Sequence, residues 1–321
     1  MPVIRPFSLR DAPDIIQLQT RAAVLDFKRR LLRSSNPVGS AVLGVLSGHY
    51  AGARTLVHTG ATGSDPRAFV QLLPREDRSS WDVACAAPSL EEEPDAAPLW
   101  EELLARSIWI AAEQDIARIY ASTPPGLAEA QALRRSGFAV VGCEEVFVST
   151  VAYPRTSRPA GMREVEASDA WALGELRRQV IPPLVYQAQW FAPEEEAASA
   201  QALGSSRGGH VWVENGTVIA HMSLESTSRG HWITCTVRPE HRADLLPCLR
   251  YLLHLADGSD TRPVYVSVPD YVVGLGWLLR TLGFESCGRQ QVMVAHTVSR
   301  VAVKHPAVAH GLEGQADVVV H

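Results

Sequence analysis

Apolar residues at two-residue spacing mark strands along much of this chain, and shorter stretches at helical spacing separate them. From His231 to Val237 the alternation is regular: Ile233, Cys235 and Val237 fall on one face, Trp232, Thr234 and Thr236 on the other. Val211 to Val213 and Val218 to Leu224 flank Asn215-Gly216. That pair accepts the positive φ angles of a tight primed turn and predicts a hairpin. Strands are also predicted at Arg54 to His58, Ala68 to Leu73 and Trp81 to Ala86, separated by Gly, Asp and Ser. Ser8 to Asp11 offers caps to a helix whose Ile15, Leu18 and Ala22 share a face, and a second helix covers Ser40 to Leu46. A helix from Ser168-Asp169 is expected to bury Trp171, Leu173 and Leu176 in part. Ile181-Pro182-Pro183 ends it, before a short helix through Trp190-Phe191.

The pattern repeats. Leu133 to Val148 aligns without gaps to Leu279 to Val294, so Gly137 matches Gly283 (283 − 137 = 146), and Phe138, Gly142 and Val146 match Phe284, Gly288 and Val292. Just upstream, Ile119 to Ser122 resembles Val264 to Ser267. Ile4-Arg5 with Asp11-Ala12 matches Met162-Arg163 with Asp169-Ala170 (162 − 4 = 158). Solenoid units run only about 20 to 50 residues, so this period marks a duplicated domain. Tyr153 to Gly161, with Pro154 and Pro159, is the natural linker. The expected division is 1–154, 161–298 and a partly flexible tail, 299–321. Gly137 and Gly283 are expected as left-handed helix C-caps, each backed by the phenylalanine that follows.

At 321 residues and 34.9 kDa, two cores agree with the repeat. A net charge of -5 gives no electrostatic reason to expect nucleic acid as a partner. The N-terminal stretch lacks a signal-peptide pattern and no apolar run reaches the roughly 20 residues that span a bilayer, so the expected location is the cytoplasm, with no membrane partner. Five scattered cysteines without a C-x-x-C fit reduced thiols, and the histidines show no metal-ligand spacing. The usual metalloprotease, α/β-hydrolase and phosphate-loop signatures are absent.

Candidate chemistry gathers between Ile233 and Leu255, where a buried strand runs through a basic loop into an amphipathic helix. A helix start with unpaired N–H groups favours an anion there. Arg238 and Arg242 beside it could hold phosphate oxygens bidentately, or could pair with Glu240 and Asp244.

Val237 to Arg242 resembles the approach to the pyrophosphate loop of the GNAT acyltransferase superfamily. Leu-x-x-x-Gly-Phe at Leu133 and Leu279 resembles the close of that family's fourth helix. The resemblance implies an α/β architecture of two tandem GNAT-like domains, each a twisted mixed sheet flanked by helices. It also implies acetyl-CoA as cofactor and acyl transfer to a small-molecule or peptide amine. Carried over by position, the cofactor would lie along Thr236 and Val237, with Arg238, Arg242 and the amides of Ala243, Asp244, Leu245 and Leu246 at its pyrophosphate. Ala243, Leu245 and Pro247 stand where the family has glycines, and Asp244, if it caps the helix, would compete for the amides. The equivalent first-half segment carries Glu91, Glu92, Glu93 and Asp95, which repel pyrophosphate, so the second half is expected to be the working one. Leu133 and Leu279 occupy the place of the family's catalytic tyrosine. His231, Tyr265, Asp270 and Tyr271, at strand ends or in the loop beyond, are the remaining acid–base candidates. The rival expectation is a catalytically inactive GNAT-like module that binds a ligand or a protein.

Overall fold

The computed structural model describes residues 3–33, 36–47, 53–60, 66–75, 79–189, 209–256 and 262–297. The tail and the helix expected through Trp190-Phe191 lie outside them. In the first half the chain order is β1 (Val3–Pro6), α1 (Ala12–Gln19), β2 (Ala23–Val24), α2 (Phe27–Leu32), α3 (Pro37–Leu46), β3 (Arg54–Thr59), β4 (Pro66–Pro74) and β5 (Ser80–Ala87). Then follow α4 (Ala97–Glu113), β6 (Arg118–Thr123), α5 (Ala128–Arg135) and β7 (Ala139–Ser149). The second half gives β8 (Met162–Glu164), α6 (Ala170–Val180), α7 (Pro183–Gln189), β9 (Gly209–Glu214), β10 (Thr217–Ser226), β11 (His231–Val237), α8 (Leu246–Ala256), β12 (Val264–Pro269), α9 (Leu275–Thr281) and β13 (Glu285–His296).

The repeated sequence folds into repeated local structure. Arg5 grips Asp11 with both terminal nitrogens, at 2.7 and 2.6 Å, and Arg163 grips Asp169 in the same way, at 2.7 Å for both. Each aspartate also accepts the backbone N–H three residues earlier, Ser8 or Glu166, which closes the turn that launches α1 or α6. Gly137 and Gly283 have φ of 97° and 85°. Phe138 N–H bonds to Leu133 O and Phe284 N–H to Leu279 O, the six-to-one bond of a left-handed helix stop. The hairpin turn is likewise as the sequence predicts, with Asn215 and Gly216 at φ 49° and 77°.

The mixed sheets of the two halves join edge to edge. All the described strands join one sheet in the order β1-β3-β4-β5-β6-β13-β7-β12-β11-β10-β9-β8, with β2 added beside β5. The last strand of each half is exchanged: β13 pairs with β6 of the first half, and β7 pairs with β12 of the second. Val294 sits opposite Tyr120, and its repeat partner Val148 sits opposite Tyr265. Between the exchanged strands Gly142 faces Val292 and Val146 faces Gly288, so the two crossings are copies of one another. Both strands bulge at matching places, with Val141 and Cys287 each passed over in the register. Glu144 faces Gln290, which is its own repeat equivalent (290 − 144 = 146), so a pseudo-twofold axis passes between these two residues.

Helices cross over with the strands. Phe27 and Leu32 of α2 pack on Trp232, Val146 and Tyr265 of the second half's sheet face. At the pseudo-symmetric place the Tyr120 hydroxyl donates to Ala188 O in α7 at 2.8 Å. One core gathers around α4, α5 and the first-half strands, another around α8, α9 and the second-half strands. On α6, Leu173 and Leu176 are buried as expected, but Trp171 is 75% exposed because it points away from the sheet.

Candidate functional site

Each half contains one parallel strand pair, and each pair is a fork. β11 and β12 stay in register for His231↔Val264, Trp232↔Tyr265 and Ile233↔Val266, and then part, although both strands continue. β5 and β6 part after Asp82↔Tyr120. Strands that part in this way leave backbone N–H and C=O groups to be satisfied by something else.

In the first half the chain itself fills the gap. β2 pairs with the outer part of β5, Ala23 opposite Ala86 and Val24 opposite Cys85. Leu25 N–H donates to Ala84 O at 3.0 Å, while Leu25 O accepts Ser122 N–H of β6 at 2.7 Å, so one residue bridges both arms. Leu25 is buried in the first-half core. The turn after β5 is closed too. Glu129 of α5, itself buried, accepts from Leu90 N–H and the Ser89 hydroxyl, each at 3.1 Å. A resident carboxylate takes the amide that an anionic ligand would need. The acids from Glu91 to Asp95 do not cap α4, which starts without a side-chain cap.

The second fork is built differently. Between α1 and α2 lie seven residues, 20–26, whereas between α6 and α7 lie only Ile181 and Pro182. That link is too short to supply a counterpart of β2. Among the described residues, none pairs with the β12-facing edge of Thr234 to Val237. Beyond β11 the chain makes two consecutive 3-10 turns, Pro239–His241 and Ala243–Leu245, before α8. His241 N–H, Arg242 N–H and Leu245 N–H are used inside those turns, with acceptors Arg238 O, Pro239 O and Arg242 O. Asp244 is exposed and makes no side-chain hydrogen bond among the described residues, so it does not compete for the amides as a cap would. Arg238 and Arg242 are half-buried and pair with neither Glu240 nor Asp244. Their Nε atoms are buried without a partner among the described residues, while Arg242 Nη1 donates to Val273 O at 3.3 Å.

The candidates divide between the two ends of the fork. Thr236, Val237, Arg238 and Arg242 share the outer end with Asp270 and Tyr271. Burial pushes the Tyr271 phenol up to about 12, helped by the charges of Glu144 and Asp270 and opposed by Arg242, so all four groups lie around one place. His231 is five residues before Thr236, about 17 Å along a strand, at the closed end. It is buried, with Nδ1 2.8 Å from the Ser226 hydroxyl. Tyr265 packs beside Trp232 under α2. Burial pushes the Cys85 and Cys235 thiols up to about 12 and Cys248 to about 11, which leaves them protonated and unreactive. Among the described residues no His, Cys, Asp or Glu cluster suits a metal, and no helix is long and apolar enough to cross a membrane.

Sequence reasoning passed over Glu144. This half-buried carboxylate comes from the first half's exchanged strand β7 and accepts both the Ser267 hydroxyl and Gln290 Nε2–H, the latter at 3.0 Å. Ser267 is the first residue of β12 beyond the fork. The available signal was two adjacent acids, Glu144-Glu145, inside an otherwise apolar strand pattern.

No protein-family model matches the sequence, and no curated protein matches it. Solved structures do. A GCN5-related N-acetyltransferase from Sphaerobacter thermophilus superposes with a TM-score of 0.57 at 17% identity, over 93% of this chain and 97% of that one. A tandem GNAT protein from the clavulanic acid biosynthesis pathway, solved without AcCoA, superposes with a TM-score of 0.51 at 18% identity, over 92% of this chain and 98% of its own. Identities this low carry the fold alone. The chain has the tandem GNAT fold across nearly its whole length.

Proposed function

We propose that this chain, folded as a tandem GNAT protein, transfers an acyl group from acyl-CoA to an amine at the fork between β11 and β12. The observation that carries this reading is the contrast between the forks: β2 and Leu25 bridge the first, while the second leaves the β12-facing edge of Thr234 to Val237 unpaired among the described residues. Backbone groups on that edge suit the amides of a pantetheine arm. Arg238 and Arg242, each with a buried Nε that has no partner among the described residues, suit pyrophosphate oxygens. When bound, acyl-CoA supplies an acyl group activated as a thioester. The chain's part is to align the acceptor and manage its proton. Tyr271 stays protonated at neutral pH and can hold a proton at its hydroxyl, and Glu144 can accept one at its carboxylate.

A non-catalytic binding module is the rival, favoured by Leu279: fully buried, it stands where the resemblance calls for a tyrosine. Calorimetry with desulfo-CoA and a turnover assay with acetyl-CoA and mixed amines separate the two. Micromolar binding with turnover is the expected result. Binding without turnover supports the module, and no binding at millimolar ligand sinks both coenzyme readings. Arg242→Ala should weaken binding about tenfold or more through loss of a charge-assisted contact; unchanged affinity would remove Arg242 from the site.

A further inference from the structure

The pseudo-twofold axis runs through a polar cluster whose hydrogen bonding is incomplete. Gln290 is 5% exposed, and its Oε1 is buried with no hydrogen-bond partner among the described residues. The orientation of that amide is determined by its neighbour: Nε2 donates to Glu144 Oε2, and a flipped amide would set oxygen against carboxylate. One oxygen of Glu144 therefore takes two donors, Ser267 Oγ–H and Gln290 Nε2–H, and the nearest orphan is an acceptor. Glu144 also has no cationic partner among the described residues, whereas the adjacent Glu145 has Arg280 at 3.3 Å. A half-buried carboxylate without a counter-ion, next to a buried orphan acceptor, calls for a positively charged group that carries N–H donors.

The cluster lies where such a group would be useful. Ser267 is the first β12 residue past the fork, and Tyr271 is close enough to feel the charge of Glu144. The first half has no such demand. There Ser122, the repeat equivalent of Ser267 (267 − 122 = 145), accepts Phe27 N–H at 3.0 Å and donates to Leu25 O at 3.3 Å, within the chain's own plug. Gln290, the equivalent of Glu144, is neutral. The carboxylate serves the fork that its own chain does not bridge.

We propose that Glu144, Gln290 and Ser267 form a binding site for a primary ammonium group, with the ammonium donating to Glu144 and to Gln290 Oε1. This deepens the acyl-transfer reading by assigning the amine's place to a residue contributed by the opposite half. The binding itself needs no coenzyme.

The test is an NMR-followed titration of the full chain with n-butylammonium, tetramethylammonium and n-butanol, beside a titration with desulfo-CoA. Butylammonium should bind, and the other two should not: one lacks N–H donors and the other lacks charge. Glu144→Gln should weaken butylammonium about tenfold to a hundredfold, as loss of a charged hydrogen bond does, and leave desulfo-CoA affinity unchanged. Gln290→Met, which keeps the charge and removes the orphan acceptor, should weaken butylammonium to a lesser degree. The proposal is overturned if wild type binds no butylammonium, if tetramethylammonium or butanol binds as well, or if both variants bind butylammonium like wild type. Normal amine binding without coenzyme binding would overturn the acyl-transfer reading and leave this site standing.

Discussion

His221 shows what a buried titratable side chain costs this fold. It sits on β10 with Nε2 unpartnered among the described residues, and its pKa is pushed down to about 3 by burial first, then by the charges of Arg177 and His210, against the pull of Asp169. In an unfolded chain a histidine titrates near 6.5. Between those values the unfolded state holds a proton that the folded state does not. Stability contributed by the neutral ring is therefore complete above about pH 6.5 and declines as pH falls toward 3. Asp169, held below the usual carboxylate range mainly by its bonds to Arg163, loses its contribution as pH falls below 3.8. Urea unfolding followed from pH 7.5 to 4.5 (roughly the window in which unfolded-state imidazoles titrate) should show wild type losing stability more steeply than His221→Gln. Parallel slopes would assign the acid sensitivity elsewhere. Asp169→Ala should cost about 1–2 kcal/mol at neutral pH, from a lost cap and lost charged hydrogen bonds, measurable as a lowered urea midpoint with an unchanged m-value.

Among the elements, β7 and β13 matter most because neither pairs with the strand before it in its own half, β6 or β12. Each half alone would lack the strand that closes its sheet. A chain nicked in the segment 154–160 should therefore stay as one particle on size exclusion, with the fragments separating only in denaturant. Either fragment expressed alone should self-associate or aggregate through the unpaired edge. A monomeric, folded 1–154 would contradict the exchange. The sequence does not distinguish exchanged from unexchanged pairing, since Val140 to Val148 and Ser286 to Val294 share one register, with Gly142, Val146 and Val148 matched by Gly288, Val292 and Val294, and so carry the same apolar alternation. What is local was legible: the Asn215-Gly216 turn, the glycine stops at 137 and 283, and the matching starts of both halves, though not the Arg–Asp pairing within them, because each depends on residues close together in the chain. The outer end of the second fork was legible from Arg238 and Arg242. Leu25 and Glu144 were not, for their roles come from partners 59 and 123 positions away, at Ala84 and Ser267.

On the scale of the whole molecule, two similar halves predict two ligands, but the bridged first fork predicts one. Calorimetry with desulfo-CoA should return one coenzyme per chain, and a stoichiometry of two would show that β2 and Leu25 can be displaced. The halves are also tied together by ion pairs. Lys28 and Arg33 at the two ends of α2 meet Glu225 on β10 at 2.5 and 3.5 Å, so the segment that bridges the first fork is tied directly to a wall of the second half. The facing of Glu144 and Gln290 has a further meaning in terms of descent. In a homodimer with the same strand exchange, a residue on the axis meets its own copy, so a carboxylate there would meet a carboxylate and a glutamine a glutamine. Joining two copies in one chain frees the two positions to diverge. An acid hydrogen-bonded to a neutral amide across the axis is an arrangement open to a gene fusion and closed to any perfectly symmetric pair of identical subunits.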